Sequence, residues 1–333
     1  MLAIDNLPKI DAHIHYNSGR SQIFELAADF NFDLLSINTE VPEFPSIDQQ
    51  QQLVLNNRNE FKNGNLYYAT TVSTENIFVD SWTEKAINKI KQDVAKGASG
   101  VKFWKNIGMS IKKPGGNFLM LDDPIFTPVF NFLEEKQIPV LGHQGEPKNC
   151  WLPIDEMTVT SDREYFANNP QYHMYKHEEY PDYWKHIEAR DNILEQHPNL
   201  QFVGLHLASL EWSLEEISRR LDKYPNLAVD LAERISHLYY HTAKDRKKVI
   251  SFIKKYQDRI IYGTDIIDGP DLDSNKITND LKDRWQSHWE FFATDKTLTS
   301  SQIADSFKGL NLPKNVLEKI YRTNAVRWYQ LTK

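Results

Sequence analysis

The chain has 333 residues, 40% of them hydrophobic and 26% charged, with a formal net charge of −7. Those fractions exclude a disordered or fibrous protein, and a mildly acidic balance with pI near 5.9 argues against nucleic-acid or anionic-membrane partners, which need clustered Lys and Arg. A single cysteine, Cys150, excludes an intrachain disulfide and fits a reducing compartment.

Residues 1–11 lack the basic lead and apolar core of a signal peptide. No stretch approaches the roughly 18 apolar residues of a membrane span. The expected location is cytoplasmic.

Short apolar strands alternate with amphipathic helices along the chain. The predicted strands are 9–15, 34–38, 66–72, 100–104, 139–143, 202–206, 227–231 and 260–264. Most are rich in Val, Ile, Leu or Phe and bounded by Gly, Pro, Asn or Asp. Unbroken apolar character suits strands covered on both faces, as in a parallel sheet.

The helices between them have recognisable starts. After the third strand, Ser81, Trp82, Thr83 and Glu84 read as a capping box, followed by Ala86, Ile87, Ile90 and Val94 at helical spacing, with Gly97 as a stop. After the fourth, Asp123 reads as an N-cap with Pro124 at the first helical position. After the sixth, Ser213 and Glu216 repeat the capping-box pattern before Ile217 and Leu221. After the seventh, 244–256 carries Val249, Ile250 and Ile253.

Eight such units fit a (β/α)8 barrel or a doubly wound sheet. No Gly-x-Gly-x-x-Gly follows a strand and no Gly-x4-Gly-Lys-Ser/Thr loop occurs, which weakens the nucleotide-binding versions of the second. No Gly/Ser/Pro linker divides the chain, so 1–333 reads as one domain. Two connections, 144–183 and 266–301, are too long for simple turns. The first is rich in aromatic residues, including Trp151, Tyr165, Tyr172 and Tyr183, and reads as a lid or pocket wall. A surface decoration or an oligomer contact is the alternative.

The chemistry begins in the first strand. Side chains alternate along a strand, so His13 and His15 share a face. At the C-terminal end of a barrel strand that face looks into the active-site mouth. An i,i+2 histidine pair is a weak signal alone. Three further polar residues stand at the ends of their own predicted strands: His143, His206 and Asp265. In a closed barrel the eighth strand neighbours the first, which sets Asp265 beside His13 and His15. Three imidazoles and a carboxylate suit zinc, and also iron, manganese or nickel.

These residues carry a resemblance to a known family. Ile10-Asp-Ala-His-Ile-His15, Gly142-His143, Leu205-His206 and Tyr262-Gly-Thr-Asp265 resemble, in order and strand position, the amidohydrolase superfamily. Within it they resemble the amidohydrolase 2 group that includes aminocarboxymuconate semialdehyde decarboxylase. The resemblance implies a (β/α)8 TIM barrel with His13, His15 and His143 as metal ligands. It implies Asp265 as ligand and acid/base, and His206 as a substrate-polarising histidine that can also reach the metal. The expected cofactor is one divalent ion, zinc first among the candidates.

Lys102 and Trp104 share a face of the fourth strand. Some superfamily members carry a carboxylated lysine here that bridges two metals; otherwise Lys102 binds a substrate anion or pairs with Glu146 or Asp265. Lys102, Trp104 and Glu146 are the expected substrate-binding residues. Arg163, Glu211 and Arg234 lie near strand-rim loops and read first as salt-bridge partners. Cys150 has no evident activating base.

The expected reaction is hydrolysis of an amide, lactone or ester carbonyl in a small molecule. Non-oxidative decarboxylation of a small carboxylic acid is the alternative, and a ligand-binding barrel without turnover a third. The expected partner is the small-molecule substrate, with no nucleic acid and no membrane; a symmetric homo-oligomer is the general expectation.

Overall fold

The computed structural model describes residues 7–331. Most of the 1–11 segment read above for a leader, residues 1–6, lies outside the described residues.

Strands β1 (Lys9–Tyr16), β2 (Phe32–Ile37), β3 (Leu66–Thr71), β4 (Ala98–Phe103), β5 (Val140–Gly142), β6 (Phe202–Gly204), β7 (Leu227–Asp230), β8 (Ile260–Ile261) and β9 (Ile266–Asp268) form one sheet in the order β8-β7-β6-β5-β4-β3-β2-β1-β9. Every pairing in it is parallel. β8 and β9 are two pieces of one barrel strand. The first piece pairs with β7 and the second with β1. Between them, Ala12 N–H donates to Tyr262 O (3.1 Å) and Asp265 N–H to His13 O (2.7 Å). The ring is thereby closed, and the architecture is the (β/α)8 barrel, one of the two folds that fit the alternation and the one the family resemblance implied.

Period-two burial builds two apolar layers. Ile10, Ala12, Leu35, Ile37, Ala69, Leu141, Val203, Leu205, Ala228 and Ile261 form the inner one, plugged by Trp328 and Tyr329 near the C-terminus. Ile14, Leu34, Tyr68, Val101, Val140, Phe202 and Val229 belong to the outer one, with the helices. β1 changes face partway. Its register against β2 slips between Asp11 and Ile14, so Ala12 joins the inner layer while Ile14 and Tyr16 join the outer. The slip turns His13 and His15 into the barrel mouth.

Several helix starts differ from the sequence reading. Ser81 is itself helical, and its side chain makes no cap bond to helix Trp82–Ala95, so the expected capping box is not formed. A complete capping box sits instead at Ser46 and Gln49, ahead of helix Ile47–Asn57. Ser213 forms half of one: its hydroxyl accepts from Glu216 N–H at 3.2 Å, while its own N–H goes to Leu210 O. Asp123 caps a single turn, Pro124–Phe126, that runs into helix Thr127–Glu135. The 244–256 helix is the second half of Ile235–Lys255, which breaks at Asp245.

The two long connections have structure of their own. Residues 144–183 hold short turns, helix Thr160–Asn168 and a small core of Cys150, Met157, Phe166 and Met174. Residues 266–301 are not a loop: they contain β9, the barrel helix Ser274–Ala293 capped by Asp273, and the first strand of a hairpin pairing Thr297–Leu298 with Phe307–Lys308. No helix among the described residues is long and apolar enough to cross a membrane.

Candidate metal centre

His13 Nδ1 donates to Asp230 Oδ2 at 2.6 Å, and His15 Nδ1 to the Ile37 carbonyl at 2.7 Å. His206 Nδ1 donates to the Ala232 carbonyl at 3.0 Å. A carbonyl only accepts, so His15 and His206 carry their proton on Nδ1 and present Nε2 as a lone pair. Both His13 and His15 aim Nε2 at Asp265: the Oδ1 atom lies 3.0 Å from one and 3.1 Å from the other. Ligand atoms of these three residues all lie within 4.8 Å of one another. The sequence reading set the three together, and the fold does so.

His206 and His143 complete a histidine row. The His206 ring centroid lies 5.1 Å from that of His13, and the His143 centroid 4.2 Å from that of His206. His143 therefore adjoins the three-residue group through His206 and is not a member of it. Strands five and six also end sooner than expected, at Gly142 and Gly204, leaving both histidines just beyond the ladder.

The backbone here is bent at a cost. His206, Leu207, Ala208 and Ser209 have φ of 58°, 56°, 58° and 55°, a left-handed turn without glycine. Each such residue costs roughly 1–2 kcal/mol, so the surrounding structure must hold the turn. Gly204 makes room for it: a Cβ there would stand 2.5 Å from the Ala208 Cβ. Asp265 is also left-handed, with φ of 61°. Asp11 secures that bend by accepting from Thr264 N–H (3.0 Å), Thr264 Oγ1 (2.7 Å) and Trp285 Nε1 (2.9 Å).

Sequence reading missed Asp230. It is fully buried at the end of β7, takes the His13 proton on one oxygen, and accepts the His206 backbone N–H at 2.5 Å on the other. A carboxylate behind a histidine fixes the ring's tautomer and raises its basicity. The available signal was an aspartate inside the apolar run Leu227-Ala-Val-Asp-Leu231.

The donor set fits a cation. Three electron-pair donors converge in a buried space, and His13 Nε2 has no aligned hydrogen-bond partner there. With protons alone, burial pushes His13 down, but the charges of Asp265 and Asp230 outweigh it and carry His13 up to about 9. Burial raises Asp265 and His13 pulls it the other way, holding it well below the usual carboxylate range. Burial lowers His15 to about 4 and takes His206 and His143 well below the ordinary imidazole value. Neutral imidazoles and an ionised carboxylate are the forms that bind a divalent ion, so His15, His206 and Asp265 already stand in them, while His13 would give up its Nε2 proton to the ion. Two or more imidazoles with one carboxylate suit zinc and its neighbours.

The remaining predicted residues are placed as follows. Val101 and Phe103 pack outward, Phe103 on Phe126 and Phe130, so Lys102 points into the barrel. Lys102 as a whole is 2% exposed, and its ammonium makes no hydrogen bond or ion pair among the described residues; burial pushes it down to about 8 despite the pull of Asp265 and Asp230. Neither expected pairing, with Glu146 or with Asp265, is formed. Glu146 is ion-paired with Lys105 instead. Trp104 lies half-buried just past β4. Arg163 donates to Met157 O, Glu211 accepts from Lys148 N–H, and Arg234 donates to Glu233 O. Cys150 is buried, its thiol pushed up by desolvation, and it donates to Tyr172 O.

The closed parallel barrel brings His13, His15 and Asp265 together at the mouth where (β/α)8 enzymes carry their active sites. The family model described as Amidohydrolase matches residues 10–331, and the chain belongs to that family of the amidohydrolase superfamily. Family members usually bind a divalent metal. Among solved structures, a TIM-barrel protein from Bordetella bronchiseptica is similar at 14% identity, covering 97% of this chain and 99% of the other, with a TM-score of 0.56. The 2,6-dihydroxybenzoate decarboxylase from Rhizobium is similar at 13% identity over 97% and 98% of the two chains, with a TM-score of 0.51. At these identities the likeness shows the fold. No match was found among curated protein sequences.

Proposed function

We propose that the chain is a metal-dependent hydrolase acting on a carbonyl of a small molecule. One observation carries the reading: Asp265 Oδ1 lies within 3.1 Å of two imidazole Nε2 atoms whose Nδ1 atoms are tied to the protein. His13, His15 and Asp265 would hold the ion, with His206 or His143 completing the set. A divalent ion in such a site, zinc first among the candidates, supplies Lewis acidity that makes water acidic near neutral pH.

Asp265 takes a proton from the attacking water and returns it to the leaving group. Its side chain is 20% exposed, which keeps it in reach of substrate. His206 has a role narrower than the sequence suggested. Its proton is committed to Ala232 O, so the neutral ring offers an acceptor at Nε2. It suits a ligand, or a partner for a substrate N–H or O–H, better than a donor to an oxyanion. Lys102, Trp104 and Glu146 are proposed on the substrate side, where the Lys102 ammonium can meet an anionic group.

That buried ammonium also favours a second reading, non-oxidative decarboxylation of a small carboxylic acid. Turnover of an ester, lactone, amide and carboxylate panel in oxygen-18 water separates the two. Label in a carboxylate or alcohol product supports hydrolysis; release of carbon dioxide with an organic product that has lost its carboxyl and carries no label supports decarboxylation. No turnover by the metal-loaded protein across the panel would overturn both.

A further inference from the structure

The left-handed turn at residues 206–209 does not hold itself. Two of its carbonyls are taken by side chains from one helix, Tyr183–Gln196. Arg190 Nη1 donates to Ala208 O at 2.5 Å, and the Tyr183 hydroxyl donates to Ser209 O. Seven positions apart, Tyr183 and Arg190 occupy the same helix face. Both are almost fully buried, at 2% and 1% exposure. Each is braced in turn. Arg190 Nε and Nη2 donate to Asp191 Oδ1 (3.0 and 2.6 Å), and Arg220 Nε donates to Asp191 Oδ2 at 3.2 Å. The Tyr183 hydroxyl accepts from Trp212 Nε1 at 2.8 Å. The Ser209 hydroxyl donates to Gln144 O, at the start of the long insertion, at 2.9 Å.

We infer that Arg190 and Tyr183 are positioning residues for His206, fixing its ring through the carbonyls of a turn that would otherwise relax. The argument is one of chain geometry. Four successive positive φ angles without glycine persist only where outside contacts over-determine them. Within the turn, Ser209 N–H reaches His206 O at 3.1 Å and Leu210 N–H reaches Leu207 O at 3.1 Å. The two following carbonyls are the ones the helix claims. At the other end, Asp230 and Ala232 take the His206 backbone N–H and ring Nδ1–H. His206 is thus gripped from both sides, by Asp230 and Ala232 at one end and by the helix at the other. An arginine spends a buried charge-assisted bond on a backbone carbonyl here, next to Asp191, which Arg220 would still neutralise in its absence. The functional consequence rests on the metal-centre reading above; the positioning itself does not.

The test uses the full chain with Arg190→Met, Arg190→Lys and Tyr183→Phe. Amide exchange is followed by mass spectrometry over residues 204–212, and the His206 ring tautomer by 15N shifts in histidine-labelled protein. Zinc uptake is measured separately with Zn2+ alone. In Arg190→Met, exchange at Ser209 and Leu210 should rise roughly 10- to 100-fold, the range that loss of one bond from a charged donor produces. The His206 Nδ1–H signal should broaden or shift toward the other tautomer, while β1 to β4 stay protected. Arg190→Lys should recover part of both, and Tyr183→Phe should show a smaller change of the same kind. Unchanged exchange and tautomer in Arg190→Met and Tyr183→Phe would overturn the inference. So would a uniform loss of protection that Arg190→Lys fails to relieve. If the exchange and tautomer change as expected while the wild-type chain takes up no zinc, the metal-centre reading falls and the positioning stands.

Discussion

His13 Nδ1 donates to Asp230 Oδ2 at 2.6 Å, linking two strands that stand two places apart in the barrel ring. That bond fixes which nitrogen of His13 faces Asp265. Asp230→Asn keeps the volume and loses the charge, so the ring is no longer held as a basic Nε2 donor. Zinc affinity should fall roughly 10- to 100-fold. Competition against a chelating dye measures it; unchanged affinity would remove Asp230 from the site.

At Gly263 the split strand passes close against β1. A Cβ there would lie 2.7 Å from the His13 Cβ and 3.2 Å from its backbone nitrogen. Neither can yield without opening the barrel seam. Gly263→Ala should cost about 1–3 kcal/mol in a urea melt, as overpacked positions do, and should weaken zinc uptake as well. A stable variant with full uptake would show that the seam is looser than its contacts.

Removing metal should lower stability by mass action, because the unfolded chain does not bring His13, His15 and Asp265 together. At a free ion concentration of 100 times Kd the contribution is about 2.7 kcal/mol. Protein dialysed against a chelator should melt a few degrees lower, and Zn2+ should restore the transition while Mg2+, which prefers all-oxygen octahedral sites, should not.

Two buried histidines away from the metal group give the fold an acid-sensitive limb. His288 sits under Tyr262, whose hydroxyl is 3.0 Å from its Nδ1, and burial lowers it to about 3; burial lowers His186 to about 4. An unfolded histidine protonates near 6.5. Between those values the unfolded chain binds more protons than the folded one. Stability is therefore fully present above about 6.5 and is lost as pH falls toward 4 and then 3. The urea midpoint should drop between pH 7 and pH 4.5, and His288→Gln should make that drop shallower. An identical slope in the variant would show that His288 does not report the acid limb.

How much of this was legible follows from which interactions are local. Strand period and apolar runs are local, and the eight-unit alternation narrowed the fold to a barrel or a doubly wound sheet, between which the family resemblance chose. His13, His15 and Asp265 were legible because their positions at strand ends plus ring closure suffice to bring them together. Asp230 was not, because its role exists only through a contact across 217 positions of sequence. The eighth strand was read as ending at 264, whereas the bend at Asp265 splits it and pairing resumes at Ile266. Ser81 failed as a cap because the chain is already helical there, a conformation that Ser, Trp, Thr and Glu do not announce. The turn at 206–209 was unreadable for the same reason: left-handed backbone without glycine is imposed by Arg190, Tyr183 and Asp230 from elsewhere in the fold.

The most direct test of the central claim is the metal content of the full chain purified without chelators or a nickel column, compared with His13→Gln, His15→Gln and Asp265→Asn. The account expects close to one divalent ion per chain, lost in all three variants while their far-ultraviolet spectra stay native. A native chain free of metal that binds none on titration, or variants that retain it in full, would contradict the assignment of His13, His15 and Asp265 as one centre.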